Sequence, residues 1–212
     1  MGTVDRRDFI LSLAAITAGG HAAAQSAPGT TILVLGDSMS AEYGLARGTG
    51  WVALLAQRLA QQKIAAEVVN ASISGDTTAG GRARLPALLA QHRPSVVVIE
   101  LGGNDALRGL PLQSTEANLT AMAQAARKAG ARVLLVGMQV PPNYGADYTR
   151  RFAALFHTVA QAQKAALVPF LLQGVADGPE PTKLFQADRI HPTAQAQPTM
   201  LENVWPALKK LL

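Results

Sequence analysis

Ile32-Leu33-Val34-Leu35-Gly36-Asp37-Ser38-Met39 carries both the fold and the first hint of chemistry. An unbroken apolar run that ends in a small polar turn is what a strand needs when helices cover both of its faces. In open α/β sheets the reactive groups collect outside the carboxyl ends of the strands, so Ser38 is a candidate nucleophile. Gly-Asp-Ser after a strand is also ordinary turn chemistry. Partners elsewhere in the chain have to decide between the two.

Working outward, further apolar runs at 65–70, 95–101, 132–137 and 167–170 resemble the first one at 31–35 and alternate with helical patterns. Trp51, Leu54, Leu55, Arg58 and Leu59 recur at helical spacing after Thr49, a possible N-cap. Similar patterns cover 83–92, 115–129 and 147–165. A last one runs over 198–212, where Pro198 suits a first turn and Leu201, Val204, Trp205, Leu208 and Leu211 share related faces. That face, Trp205 included, reads as core packing rather than a partner-binding stripe. Alternating strands and helices with right-handed crossovers predict an α/β fold, a three-layer α/β/α sandwich around a five-stranded parallel, flavodoxin-like sheet.

The 212 residues, 49% of them hydrophobic, support one domain with a real core. Cysteine is absent, so disulfides, thiolate chemistry and cysteine-based zinc sites are out. Arg6-Arg7-Asp8-Phe9-Ile10-Leu11 leads into an apolar stretch too short to span a bilayer, and Ala22-Ala23-Ala24 offers small residues for cleavage after Ala24. The expected organisation is a twin-arginine-like export signal over 1–24, a linker over 25–30 and one domain over 31–212, giving a periplasmic or secreted protein with no membrane span after leader removal. The leader's charges cancel, so the formal net charge of +5 stays with the mature chain. Lys and Arg are scattered and only 5% of residues are aromatic, which argues against nucleic acid as a partner.

Polar, glycine-containing segments follow the first three strands, and a histidine-containing one lies near the C-terminus. They read Gly36-Asp37-Ser38, Asn70-Ala71-Ser72-Ile73-Ser74-Gly75-Asp76, Gly102-Gly103-Asn104-Asp105 and Asp188-Arg189-Ile190-His191-Pro192. A serine nucleophile needs a base within hydrogen-bond reach, and that base needs a third group to hold its tautomer. His92 reads as a helix-end residue and His157 lies inside a helical pattern, which leaves His191 as the base and Asp188, three residues earlier, as its orienting carboxylate. The backbone N–H groups of Ser38 and Gly75 and the amide of Asn104 are candidate donors to an oxyanion, although Asn104 is equally readable as a turn residue. Asp37, Asp76 and Asp105 read as caps or turn anchors.

With these four blocks in order, the chain resembles the SGNH, or GDSL-type, serine hydrolases, with Met39 in place of the family's leucine. Within that family the segments 69–77, 83–89, 100–105 and 142–145 look like the bacterial periplasmic multifunctional thioesterase, protease and lysophospholipase branch. The resemblance implies a broad acyl hydrolase of aryl esters, thioesters and lysophospholipids; a monomer is expected. It also implies Ser38, Asp188 and His191 as triad, Ser38, Gly75 and Asn104 as oxyanion hole, and neither metal nor organic cofactor. By the same resemblance Val140, Pro141 and Tyr144 line an acyl groove, and Leu107 lies on a loop over 106–111 that is either a mobile rim or a static one. The alternatives are a carbohydrate O-deacetylase of the same superfamily, a non-catalytic flavodoxin-like binding module, and a metallohydrolase poorly supplied with ligands.

Overall fold

The computed structural model describes residues 29–212. The expected leader and most of the linker lie outside them. β1 (Thr30–Gly36), β2 (Ala66–Asn70), β3 (Val96–Glu100), β4 (Arg132–Val136) and β5 (Ala166–Val168) form one sheet in the order β2-β1-β3-β4-β5, every pair parallel. This is the flavodoxin-like order, with its topological switch between β1 and β3, the point of the carboxyl edge at which doubly wound sheets bind ligands. β1 and β3 are the most thoroughly buried strands: residues 32–35 and 96–99 are at most 1% exposed. They read as continuous apolar runs because water reaches neither face.

α1 (Trp51–Gln61) and α6 (Gln197–Lys209) pack together on one face; α2 (Thr78–His92), α4 (Leu112–Lys128) and α5 (Ala146–Gln163) cover the other, and short α3 (Gly103–Leu107) leads into α4. Thr49 is not the N-cap of α1. That position is Gly50, and the Thr49 hydroxyl donates to the Ala46 carbonyl. The free N–H of Trp51 is met from α6 instead, by buried Gln197 Oε1 at 3.0 Å. α2 begins five residues before the predicted 83 because Gly80 and Gly81 are helical. A Cβ on Gly81 would stand 2.3 Å from Leu101 Cδ1, so the missing side chain is what lets α2 lie close on the sheet. Trp205 is 9% exposed and belongs to the core, with Arg58 and Lys209 over its ring.

Helices that follow parallel strands run back antiparallel, so α1, α2, α4, α5 and α6 all end at the amino edge of the sheet. Three of these ends are unusual. Lys63, Arg93 and Lys164 occupy left-handed backbone at φ 55°, 43° and 51°, closing α1, α2 and α5 where glycine is the usual choice, as Gly130 (φ 87°) is after α4. A side chain there costs about 1–2 kcal/mol. A cation at a helix C-terminus regains about 0.3–1 kcal/mol from the macrodipole, which does not cover that cost.

Candidate active site

Ser38 emerges two residues past β1 on a tight turn. Asp37 Oδ1 accepts the Met39 N–H at 3.0 Å, and the Asp37 carbonyl accepts the N–H of Ser40 and Ala41. The Ser38 hydroxyl lies 2.9 Å from His191 Nε2, and His191 Nδ1 lies 2.7 Å from Asp188 Oδ2. A proton on Nδ1, donated to the carboxylate, leaves Nε2 to accept from the serine. The other oxygen of Asp188 accepts the backbone N–H of Ile190 and of His191, at 2.9 and 3.0 Å. These bonds to the ionised form, led by the His191 backbone N–H and then its ring, lower the Asp188 pKa to about 2.

Gln186 joins this turn to the loop beyond Ser38. Its backbone N–H donates to the His191 carbonyl, and its amide donates to the carbonyls of Tyr43 and Pro192. The Tyr43 ring sits 4.2 Å from that of His191, tilted by 36°. Gly44 (φ 70°) makes room: a Cβ there would run into the Gln186 amide.

Asn104 Nδ2 donates to Asp37 Oδ2 at 3.0 Å, next to the nucleophile, which is a tertiary contact and not a turn bond. The second N–H of that amide makes no hydrogen bond among the described residues. Gly75 follows a turn whose Ile73 N–H donates to the Gly36 carbonyl; its own carbonyl accepts Arg108 Nη2 at 2.7 Å, and its φ of 78° suits glycine. Arg84 pairs with Asp76 Oδ2 at 2.8 Å and also donates to the carbonyls of Ala71 and Gly36, fixing the loops after β1 and β2 together. Asp105 reaches across to α2, accepting the Thr78 N–H at 2.9 Å.

Of the residues expected along an acyl groove, Leu107, Pro141 and Tyr144 are exposed, while Val140 is 7% exposed and packs into the core. The surface depressions beside Leu112 and Leu155 and beside Arg47 and Val68 contain neither Ser38 nor His191, which are themselves half-buried. Among the described residues no three His, Asp or Glu side chains cluster to hold a metal ion, and no helix is long and apolar enough to cross a membrane.

Behind the serine lie two buried carboxyls. Glu100, at the end of β3, accepts the Ser40 hydroxyl at 2.7 Å and the Asp37 N–H at 3.4 Å on one oxygen. Burial pushes the Asp37 pKa up to about 6 against the opposing pull of the Met39 N–H and the Asn104 amide. Burial, and then the charge of Asp37, hold Glu100 well above the usual carboxylate range. Sequence reasoning missed Glu100, Tyr43, Arg108 and Gln186. A glutamate closing the apolar run Val96-Val97-Val98-Ile99 was the one available signal.

A hydrogen-bonded Ser-His-Asp chain at the switch point of a doubly wound parallel sheet defines a serine hydrolase of the α/β sandwich type. The chain belongs to the GDSL-like Lipase/Acylhydrolase family, whose pattern matches residues 34–197. It is 56% identical to Esterase TesA of Pseudomonas aeruginosa over 188 residues, 89% of this chain and 92% of that one. It is 42% identical to Thioesterase 1/protease 1/lysophospholipase L1 of Escherichia coli K12, over 89% of this chain and 88% of that one. The crystal structure of TesA superposes with a TM-score of 0.83 at 57% identity, covering 86% of this chain and all of that one.

Proposed function

We propose that the protein hydrolyses carboxylic esters and thioesters, aryl esters and lysophospholipids among them, through an acyl-enzyme on Ser38. The observation that carries this reading is the unbroken hydrogen-bonded chain from Ser38 through His191 to Asp188. Ser38 Oγ bonds to the acyl carbon while its proton passes to His191 Nε2. The carbonyl oxygen takes up negative charge, facing the N–H of Ser38 and Gly75 and the second amide N–H of Asn104. Collapse breaks the bond to the leaving oxygen or sulfur, which receives the proton from His191. Water then repeats the sequence and frees the acid and Ser38. Asp188, ionised down to a pH of about 2, holds the ring and stabilises the imidazolium.

The exposed side chains of Leu107 and Tyr144 suit an apolar acyl chain better than a sugar ring. Because one chain supplies every member of the triad, the reading is of an active monomer. Hydrolysis of p-nitrophenyl esters from acetyl to palmitoyl tests it, with Ser38→Ala beside the parent. Turnover highest above acetyl and lost in the variant is the expected result. Activity confined to acetyl would point to a deacetylase, and equal activity in the variant would remove Ser38 from the mechanism.

The paired arginines at Arg6 and Arg7 and the small residues before Gln25 support export to the periplasm or beyond. N-terminal sequencing of the protein from the envelope fraction should begin at Gln25. A chain that keeps its first residues and stays with the cytosol would overturn this.

A further inference from the structure

The net charge of +5 is not spread over the molecule. Near the carboxyl edge acids and bases balance, and several of the acids are occupied: Asp188 with His191, Asp76 with Arg84, Asp147 with Arg150 and Arg151, and Glu42 with the N–H groups of Gly48 and Gly50. The amino edge carries the excess. Lys63, Arg93 and Lys164 close three helices there, Arg127 and Lys128 end α4, and Lys209 ends α6, all of them exposed. The acidic side chains nearby among the described residues are Glu67 of β2 and Glu202 of α6, the second of them paired with Arg58 in the last turn of α1. Arg127 caps the Gln163 carbonyl, and macrodipoles favour cations at such ends, so part of this charge has a local use. The left-handed backbone at Lys63, Arg93 and Lys164 is an independent observation that the local use does not cover, since glycine would sit there without strain.

We infer that the amino edge is a docking face for an anionic lipid bilayer. The cations tip five chain segments from both helical layers and so make a broad face rather than a groove, which matches a plane of headgroup charge. Among the described residues no large apolar side chain is exposed on it, for Tyr43, Ile73, Leu107, Leu110, Tyr144 and Ile190 all follow strand carboxyl ends. Binding is therefore electrostatic and superficial, without the aromatic platforms that a nucleic acid would use. The described chain enters at Gly29 on this same edge, so residues 1–28 join the domain at the cationic face. Docked in this way, the protein turns Ser38 away from the bilayer and meets substrates that arrive from solution.

Co-sedimentation with vesicles of phosphatidylcholine containing a quarter phosphatidylglycerol, at low salt, tests the inference. The full chain is compared with the triple variant Lys63→Gly/Arg93→Gly/Lys164→Gly, so that the N-terminal apolar run is common to both. Glycine suits all three backbones, so the variant keeps its fold and its melting temperature does not fall. The expected result is a partition on the order of 100-fold weaker for the variant, with unchanged turnover of a soluble acetyl ester. Arg150→Ser/Arg151→Ser, which removes charge from the carboxyl edge, should bind like the parent. Equal binding to pure phosphatidylcholine, undiminished binding by the triple variant, or retention on heparin or DNA without sedimentation on vesicles would each overturn it.

Discussion

The two edges of one sheet solve opposite problems. At the carboxyl edge the chain holds unfavourable groups in place for chemistry: Asp37 and Glu100 are each 2% exposed, and apolar side chains such as Ile73 and Leu107 face solvent. At the amino edge it closes helices and connects strands, yet it places lysine and arginine where glycine would be easier. The first edge stores its cost in desolvated charge, the second in backbone strain. Substitutions should therefore separate the two, with rate answering at one edge and stability at the other.

The largest effect should come from Asp188→Asn, which keeps the shape but offers His191 the wrong partner. A fall in kcat of about 10⁴ is expected, read on a soluble aryl ester, with the far-ultraviolet spectrum unchanged. Asn104→Ala should lower kcat by about 10²–10³ with a smaller effect on KM, because the donor matters most when the carbonyl oxygen becomes negative. Near-normal turnover in either variant would take catalysis away from this edge.

Asp37→Asn sharpens the comparison through pH. An acid raised to about 6 in the fold binds a proton more tightly than the unfolded chain does, so ionising it costs stability as pH rises from about 4 to 6. The parent should lose on the order of 2–3 kcal/mol relative to the variant across that window in denaturant titrations, and the gap should be flat below it. Asp188 has the opposite sign. Its lowered pKa lends stability above the ordinary carboxylate range, lost as pH falls toward 2, and its exposure makes the contribution small. The smallest effect belongs to the amino edge: Lys63→Gly, Arg93→Gly and Lys164→Gly, made singly, should each stabilise by up to about 1 kcal/mol and leave kcat alone. A change in kcat from any of them would break the division between the edges.

The strands were legible because burial on both faces writes itself as an apolar run; β1 and β3, the most enclosed, were placed within about a residue at each end. α2 was half hidden. Gly80, Gly81 and Pro86 disguise a helix whose first turns are chosen for closeness to Leu101 rather than for helical propensity. α3 was read as loop because Gly103-Asn104-Asp105 obeys turn statistics, while the bonds from Asn104 to Asp37 and from Asp105 to Thr78 are tertiary. The residues proposed as triad were legible only together: Ser38 alone reads as ordinary turn chemistry, while His191, unlike His92 and His157, lacks a bland helical use and has Asp188 three residues before it. Glu100, Arg108 and Gln186 did not, since what marks them is a partner distant in the chain. The N-cap at Thr49 failed for a related reason: Gln197 meets the N–H of Trp51 from a helix near the other end of the chain.

Asp188 and His191 are three residues apart, whereas His191 and Ser38 are separated by 153. The acid–base pair can form inside a single turn as soon as that turn exists. Its meeting with the serine closes a loop of almost the whole domain, an ordering cost met only once the sheet and α6 are in place. A chain part-way through synthesis or folding thus carries a competent pair and an idle hydroxyl with nothing between them. On the proposed mechanism, ester cleavage then becomes a report on finished folding.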